Sequence, residues 1–195
     1  MSRLVVEQVR TGGLTRGELA NTALLLLLAG HETTANMISL GTLALLNHPD
    51  QLAELRETSD PAFVASAVEE LLRYLNVATW SGLRRVALKD IEVGGQLIRA
   101  GEGLIFAAPT ASRDPAVFAD DPDRLDLHRD ARQHLAFGFG VHQCLGQPLA
   151  RVELQVVYGT LYRCIPTLRL AVGMDEIRFK QDALVYGVHE LPVTW

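Results

Sequence analysis

The sequence predicts a mainly α-helical fold with a small antiparallel β-sheet. Apolar residues recur at intervals of three and four along several long segments, the spacing that places them on one face of a helix. Between residues 83 and 108 the pattern changes to short β-type runs, separated by Asp90, Gly94-Gly95 and Gly101. Such punctuation is typical of strands joined by tight turns.

The amino-acid composition and net charge of the chain exclude several classes of protein. The chain has 195 residues, of which 48% are hydrophobic and 21% charged, as in ordinary globular domains. The net charge of -5 lacks the basic excess that binds phosphates, so we expect no nucleic-acid partner. Two cysteines, Cys144 and Cys164, are too few for a disulfide-stapled secreted fold and favour a cytoplasmic location. The longest apolar run, residues 23–29, is far shorter than the roughly 20 residues that span a bilayer, so we expect no membrane anchor.

The first half of the chain predicts three helices. Helically spaced apolar residues follow Met1 without a capping residue, so we expect the chain to begin in mid-structure. Thr15 and Glu18 form a capping box that predicts a long helix over residues 15–47. The five consecutive leucines at 24–28 place apolar side chains on every side of this helix, which predicts a central helix that is buried in the intact fold. A short helix is predicted to begin at Pro49, and an amphipathic helix over residues 61–75 to begin after Asp60.

The second half ends in a loop, a helix and short strands. Beyond the predicted sheet at 83–108, residues 112–146 form an irregular stretch that closes with glycine-rich sequence. Unstructured segments of this length inside a compact domain are usually functional. Gln147-Pro148 begins a last long helix over residues 147–163, and residues 166–195 alternate apolar runs with turns, as terminal strands do.

The segment Phe137-Gly-Phe-Gly-Val-His-Gln-Cys144-Leu-Gly146 places a lone cysteine just before a helix. Unpaired N–H groups at a helix N-terminus favour a thiolate, and a thiolate can bind a metal ion. The glycines let the backbone approach the sulfur closely, and Phe137 can lie against a planar partner. A buried structural cysteine in a turn is the commoner explanation of such a residue when nothing else supports a site.

Three other functions are conceivable for a cysteine in such a loop. A dinucleotide-binding fingerprint would need glycine at Gln143, so the loop gives no evidence of NAD binding. A structural zinc site needs about four ligands, and only His142 is close to Cys144 in sequence. A cysteine hydrolase needs a histidine base, which His142 could provide, so this alternative stays open.

Two further motifs lie on predicted helices. Glu70 and Arg73 form an i,i+3 pair, which is usually a solvated bridge contributing a few tenths of a kcal/mol. Residues 29–34, Ala-Gly-His-Glu-Thr-Thr, interrupt the apolar long helix. A mid-helix glycine costs about 1 kcal/mol relative to alanine, and a threonine hydroxyl that competes for a carbonyl one turn back tends to open the helix. The segment could therefore hold a small ligand, although such a polar notch alone more often lies between packed helices.

Together the three motifs resemble those of the cytochrome P450 family. Phe137, Gly140, Cys144 and Gly146 match its haem-binding signature, Glu70-Leu-Leu-Arg73 matches its Glu-x-x-Arg motif, and residues 29–34 match its oxygen-activating segment. The motifs occur in the family's order. The resemblance implies a partial P450 fold, the C-terminal haem-binding half of a soluble bacterial member, without the N-terminal half that supplies the substrate lid.

The resemblance assigns the cofactor site. Cys144 would be the axial ligand of the iron in haem b. His142 and Arg85 would contact the haem propionates, because such side chains donate well to carboxylates. The remaining haem-binding positions would be Phe137, Gly138 and Gly146.

It also assigns the catalytic and structural residues. Glu32 and Thr33 would relay protons to bound O₂. A buried structural triad would consist of Glu70, Arg73 and a third member at Arg124. The substrate pocket would include Ala29, Gly30, Val77 and Trp80.

The activity implied by the resemblance is that of a haem-thiolate monooxygenase, which inserts one oxygen atom of O₂ into a small organic substrate. Electrons would come from a ferredoxin and a ferredoxin reductase, with NAD(P)H acting only indirectly, and Arg129, Arg132 and Arg151 would form the docking patch. The alternative from another class is a truncated, non-catalytic haem-binding remnant, or a fragment that needs its N-terminal half. In that case residues 24–28 would stay partly exposed and prone to association.

Overall fold

The computed structural model describes residues 2–78, 84–118 and 121–195. The helices are α1 Ser2–Leu4, α2 Arg16–Leu46, α3 Pro49–Glu57, α4 Pro61–Leu75, α5 Ala108–Ala111 and α6 Gln147–Cys164. The strands are β1 Arg84–Val86, β2 Ile91–Val93, β3 Gln96–Ile98, β4 Gly103–Ile105, β5 Arg169–Leu170 and β6 Val193–Thr194. A π-helical segment, Val5–Val9, follows α1, and short 3₁₀ turns occupy Gly140–His142 and Met174–Glu176. Mainly helical structure with small antiparallel sheets confirms the predicted fold class.

The long helix α2 begins at the capping box. The hydroxyl of Thr15 accepts the Glu18 N–H at 3.1 Å, and the Glu18 carboxylate accepts the Thr15 N–H at 2.8 Å. Only the second half of α2 is buried, around residues such as Leu40 and Leu45, whereas the leucines at 24–28 are 49–66% exposed. This partial exposure of residues 24–28 is one of the two alternatives that the sequence left open.

Helix α2 is also long and apolar enough to cross a membrane, judged by length and composition alone. The core helices of globular proteins meet the same criteria. The polar residues at 30–34 and the buried second half fit a helix inside a folded domain better than a bilayer span. We therefore interpret α2 as a core helix.

The main core lies where α2, α4 and α6 pack together. At its centre the hydroxyl of the buried Tyr158, on α6, donates to the carbonyl of Met37, on α2, at 2.7 Å. Gly41 makes this approach possible, since a Cβ atom there would lie 1.9 Å from the Tyr158 hydroxyl oxygen. The packing of α2 on α6 thus depends on the absence of a side chain at one position.

A second buried cluster joins α2 to the C-terminal segment through Leu40, Leu43, Ile177 and Val188. The backbone at Gly187 lies so close to α2 that a Cβ atom there would be 1.7 Å from Oδ1 of Asn36. The N–H of Lys180 donates to the carbonyl of Gly187 at 2.8 Å. Through these contacts the fold brings the C-terminal segment beside the middle of α2.

The strands form two-stranded antiparallel ladders, β1 with β4, β2 with β3, and β5 with β6. The sequence predicted one small sheet over residues 83–108, and the structure has two ladders there. Between the two ladders the carboxylate of Asp90 accepts the N–H of Ala100 at 2.8 Å. Gly94 and Gly95 form the β2–β3 turn with φ of +57° and +79°, which explains the paired glycines.

Candidate functional site

The cysteine loop, defined here as residues 137–146, is fixed by its own backbone. The N–H of Cys144 donates to the carbonyl of Phe137 at 2.9 Å, and the N–H of Gln143 donates to the carbonyl of Gly140 at 3.0 Å. Gly138 and Gly140 have φ of +71° and +78°, conformations that other residues rarely adopt. The chain therefore closes a tight loop immediately before α6.

This loop presents a free thiol to its surroundings. Cys144 is exposed, which argues against a buried structural cysteine. Around it Phe139, Val141 and Leu145 are 86–96% exposed, an unusual concentration of bare apolar side chains. A soft sulfur ligand among uncovered apolar groups is one of the donor sets and environments that bind haem, so the residues present fit that cofactor.

The alternatives for Cys144 find less support. Within residues 2–78, 84–118 and 121–195, no group of three or more His, Cys, Asp or Glu side chains is arranged to hold a metal ion, so a four-ligand zinc site has no basis there. Among the same described residues, no hydrogen bond joins His142 to Cys144, and both side chains are exposed. The cysteine hydrolase therefore lacks its base.

Glu70 and Arg73 lie at the centre of a buried network. Both side chains are 0% exposed, and the guanidinium binds the carboxylate through Nε at 2.6 Å and Nη2 at 2.8 Å. Its other N–H groups donate to the carbonyls of Ser112, Pro122 and Arg124 at 2.7–3.2 Å. All five donors of Arg73 are thus used, and the pair is not the solvated bridge that its sequence spacing suggests. It ties α4 to the irregular stretch before the cysteine loop.

The third member of this network is Arg129, and not Arg124 as the sequence predicted. Nε of Arg129 lies 3.4 Å from Oε1 of Glu70, and its side chain is 8% exposed. The side chain of Arg124 is 61% exposed and pairs with Asp126. Arg124 lies in a turn in which its N–H donates to the Asp121 carbonyl. Its own carbonyl accepts a hydrogen bond from Arg73, so Arg124 joins the buried network through its backbone and not through its side chain.

The predicted docking patch also changes. Arg129 is buried against Glu70 and is not available to a partner. Arg151 is held by the carboxylate of Glu69, with Nε–Oε1 at 2.6 Å. Arg132 forms an ion pair with Asp130 at 2.7 Å, and its side chain is 79% exposed, so it is the most accessible of the three arginines.

Residues 29–34 lie in the exposed half of α2. The Thr33 hydroxyl donates to the carbonyl of Ala29 at 2.7 Å, which is the competition for a carbonyl that the sequence suggested, yet α2 stays α-helical there without the expected opening. Gly30 faces open space, with no atom within 4 Å of where a Cβ would stand. Glu32 accepts hydrogen bonds from Lys180 at 2.9 Å and Asn36 at 3.0 Å, and these contacts lower the pKa of its carboxyl.

The other predicted site residues lie on separate elements. His142 ends the 3₁₀ turn of the cysteine loop and is exposed. Arg85 lies on β1, where its guanidinium donates to the carbonyl of Arg84 at 2.8 Å. Val77 packs against both core clusters, and its carbonyl accepts the Tyr186 N–H at 2.8 Å. Trp80 lies outside the described residues.

A network around Glu69 was missed by sequence reasoning. The Glu69 carboxylate binds His134 at 3.0 Å and Arg151 at 2.6 and 3.0 Å. These two partners contact the ring of Phe137, the guanidinium carbon at 4.6 Å from its centre and the imidazole centre at 5.8 Å. No sequence signal links residues that are 65 and 82 positions apart, so only the fold reveals this group.

The sequence matches a family of known proteins. The family model described as Cytochrome P450 matches residues 2–164. Cytochrome P450 GfsF of Streptomyces halstedii is 59% identical over 96% of the chain and 45% of its own length. Pentalenic acid synthase of Streptomyces avermitilis is 58% identical over 98% of the chain and 46% of its own length.

Solved structures give the same result. The crystal structure of GfsF superposes with a TM-score of 0.94 and 58% identity, covering 98% of this chain and 48% of that one. Cytochrome P450 MoxA of Nonomuraea recticatena superposes with a TM-score of 0.92 and 56% identity, covering 100% and 47%. The chain spans about half the length of the relatives that it matches. A family match over most of the chain, together with this structural agreement, shows that the chain belongs to the cytochrome P450 family.

Proposed function

We propose that the chain is the haem-binding part of a haem-thiolate monooxygenase, which inserts one oxygen atom of O₂ into a small organic substrate. The observation that carries the proposal is the exposed thiol of Cys144, on a loop closed by the Cys144 N–H to Phe137 carbonyl bond. A fixed thiolate with apolar surroundings can bind one face of haem iron. A cysteine on a loop without such backbone bonds would not define that position.

Haem b would be held by side chains from two elements. Cys144 would supply the axial sulfur, while His142 and Arg85, both exposed, would donate hydrogen bonds to the propionates. Gly138 and Gly146 carry no side chain that would obstruct the approach of the group to the loop. When bound, the haem would supply iron at which O₂ is activated, and electron donation from a cysteine thiolate favours O–O cleavage.

Glu32 and Thr33 would hold and move protons for the reaction. The Glu32 carboxylate is partly exposed, so it can exchange protons with water. The Thr33 hydroxyl donates a hydrogen bond to the Ala29 carbonyl, and its oxygen can still accept one from a neighbouring donor. Ala29, Gly30, Val77 and Trp80 would line the substrate pocket, with the open space over Gly30 leaving room for a small ligand.

Electrons would come from a ferredoxin and its reductase, with NAD(P)H as the indirect source, in the cytoplasm of a bacterium. Of the predicted docking arginines, Arg132 is the accessible one. Reversing its charge in Arg132→Glu should slow electron transfer from a ferredoxin without changing haem content. An unchanged rate would rule out this docking position.

A second candidate is a haem-binding fragment that is not catalytic alone and needs an N-terminal half. The exposed leucines at 24–28 favour it, because a fully apolar helix segment is expected to be covered on all sides in an active enzyme. Measured turnover of the purified chain with an added ferredoxin system separates the two candidates.

Binding of haem is the first test of the proposal. Titrating the purified chain with haem and following the Soret absorbance should give saturable binding, and Cys144→Ser should weaken it or shift the band. Cys164→Ser is the matched control, since that cysteine is also exposed but lies at the far end of α6. Equal spectra for the chain and for Cys144→Ser would overturn the assignment of Cys144.

A further inference from the structure

Glu69 directly precedes Glu70 on α4, but its carboxylate has different partners. It accepts two hydrogen bonds from the Arg151 guanidinium, through Nε at 2.6 Å and Nη2 at 3.0 Å. Its Oε2 also lies 3.0 Å from Nε2 of His134. The side chains of Glu69 and His134 are 13% and 1% exposed, so this is an internal contact and not a surface ion pair.

The donor and acceptor roles of the two His134 ring nitrogens follow from their neighbours. Its Nδ1 atom accepts the N–H of Ala136 at 3.1 Å, so Nδ1 carries no hydrogen. The hydrogen of the neutral ring is then on Nε2, which donates to Glu69. His134 therefore links the Glu69 carboxylate to the backbone just before the cysteine loop.

Both partners of Glu69 reach the same aromatic ring. The guanidinium of Arg151 stacks over Phe137 with its carbon 4.6 Å from the ring centre, and the His134 ring centre is 5.8 Å away. A guanidinium over an aromatic face is attracted by the ring quadrupole. The carbonyl of Phe137 in turn accepts the Cys144 N–H at 2.9 Å. A continuous set of contacts thus connects Glu69 with the backbone of Cys144.

We propose that Glu69 is a positioning residue for Cys144. Its carboxylate holds His134 and Arg151 against Phe137, and Phe137 holds the backbone amide of Cys144. The inference rests on the proposed function only in taking Cys144 as the haem ligand. Glu70 and Arg73 fix the irregular stretch before the loop, while Glu69 fixes the loop itself from the same turn of α4.

Electrostatics agrees with this geometry. Partial burial acts to raise the pKa of the Glu69 carboxyl, but the hydrogen bonds from His134 and Arg151 outweigh it and lower the pKa to about 2. The carboxylate is therefore charged at neutral pH, and its bonds to the guanidinium are charge-assisted, the stronger class of hydrogen bond.

Hydrogen exchange of the Cys144 amide in the full 195-residue chain without haem tests the proposal. In Glu69→Gln, which keeps the side-chain size and removes the charge, that amide should exchange at least about tenfold faster than in the unchanged chain, as expected when charge-assisted bonds are lost. Amides of the buried core, such as those of Leu71 and Leu154, should keep their rates. Asp130→Asn is the matched control, because Asp130 is an exposed carboxylate that pairs only with Arg132 among the described residues, and it should leave the Cys144 amide unchanged.

A second variant keeps the test decisive if Glu69→Gln folds poorly. Arg151→Met retains the Glu69 to His134 contact and removes the guanidinium from Phe137, so the Cys144 amide should exchange faster by a smaller factor. Unchanged exchange at Cys144 in both variants would overturn the proposal. A uniform increase at Cys144 and in the core would also overturn it, since that result indicates general destabilisation.

The result is independent of the outcome of the haem titration. If haem binding depends on Cys144 while Glu69→Gln leaves the amide protected, the proposed function stands and the positioning role is excluded. If Glu69→Gln exposes the amide selectively but haem does not bind, the positioning of the loop stands and the proposed function fails.

Discussion

Nζ of Lys180 lies 2.9 Å from Oε1 of Glu32, although 148 residues separate the two in sequence. The contact joins the C-terminal segment to the polar part of α2. Together with the hydrogen bond from Asn36, it lowers the pKa of the Glu32 carboxyl. The acid that we assign to proton transfer is therefore held as a carboxylate by a residue far from its own motif.

Removing the ammonium group should change the titration of Glu32. In Lys180→Met the pKa of Glu32 should rise towards the ordinary value of 4.5, because the hydrogen bond that lowers this pKa most is lost. Carboxyl chemical shifts of Glu32 followed by NMR between about pH 2 and 7 measure the midpoint. Arg178→Met, which removes an exposed pair with Glu190, is the control. An unchanged Glu32 midpoint in Lys180→Met would contradict the contact.

Two glycines of α2 should respond in opposite directions to alanine. Gly41→Ala places a Cβ against the buried Tyr158 hydroxyl and should reduce the free energy of unfolding by about 1–3 kcal/mol. Gly30→Ala meets open space and should raise that free energy by up to about 1 kcal/mol, the helix-propensity difference. Urea denaturation measures the free energy of unfolding of both variants. Equal changes would contradict the packing of α2 on α6.

The buried pair should matter far more than an exposed one. Arg73→Met removes the two hydrogen bonds that Arg73 donates to the buried Glu70 carboxylate and should lower the free energy of unfolding by about 3–5 kcal/mol. Arg132→Met removes an exposed pair and should change it by less than about 1 kcal/mol. Chemical denaturation measures both. A loss in Arg73→Met no larger than in Arg132→Met would refute the role of the network.

Acid should remove the stabilisation that Glu69 provides. Its folded pKa of about 2 lies below the ordinary 4.5, so the contribution is fully present above about pH 4.5 and is lost as the pH falls through about 2. This difference corresponds to as much as about 3 kcal/mol. Glu69→Gln should therefore flatten the pH dependence of unfolding over that window, whereas Glu190→Gln, at an exposed pair with Arg178, should leave it nearly unchanged. Denaturant midpoints measured across this pH range decide between the two outcomes.

The exposed part of α2 should cause association. The chain should form oligomers or larger species whose mass rises with concentration, because the leucines at 24–28 form an uncovered apolar surface. Leu25→Glu with Leu27→Glu should shift the species towards the monomer. Multi-angle light scattering reports the mass directly. A monomer at every concentration before any substitution would show that this surface does not associate.

The features that sequence predicted well are local. The capping box of Thr15 and Glu18 defines the start of α2, and Asp60 accepts the Ala62 N–H at 2.8 Å at the start of α4. In both cases the signal lies within one helical turn. The glycines of the cysteine loop were similarly informative, because positive φ is a property of individual residues.

The features that sequence missed depend on distant backbone. Spacing could not choose between Arg124 and Arg129, since a turn at residues 121–124 decides which guanidinium faces Glu70. Glu69 gave no signal because its partners come from two other segments. The burial of Glu70 and Arg73 could not be read from their spacing either, and came only from the resemblance to a family.

The reduced carbon monoxide spectrum tests the central claim most directly. The chain reconstituted with haem, reduced and exposed to carbon monoxide should give the red-shifted Soret band of a thiolate ligand, and Cys144→Ala should lose it while Cys164→Ala keeps it. That result would show that this chain builds the proximal site with Cys144 as its ligand. Failure to take up haem, or a band that Cys144→Ala does not alter, would contradict the account.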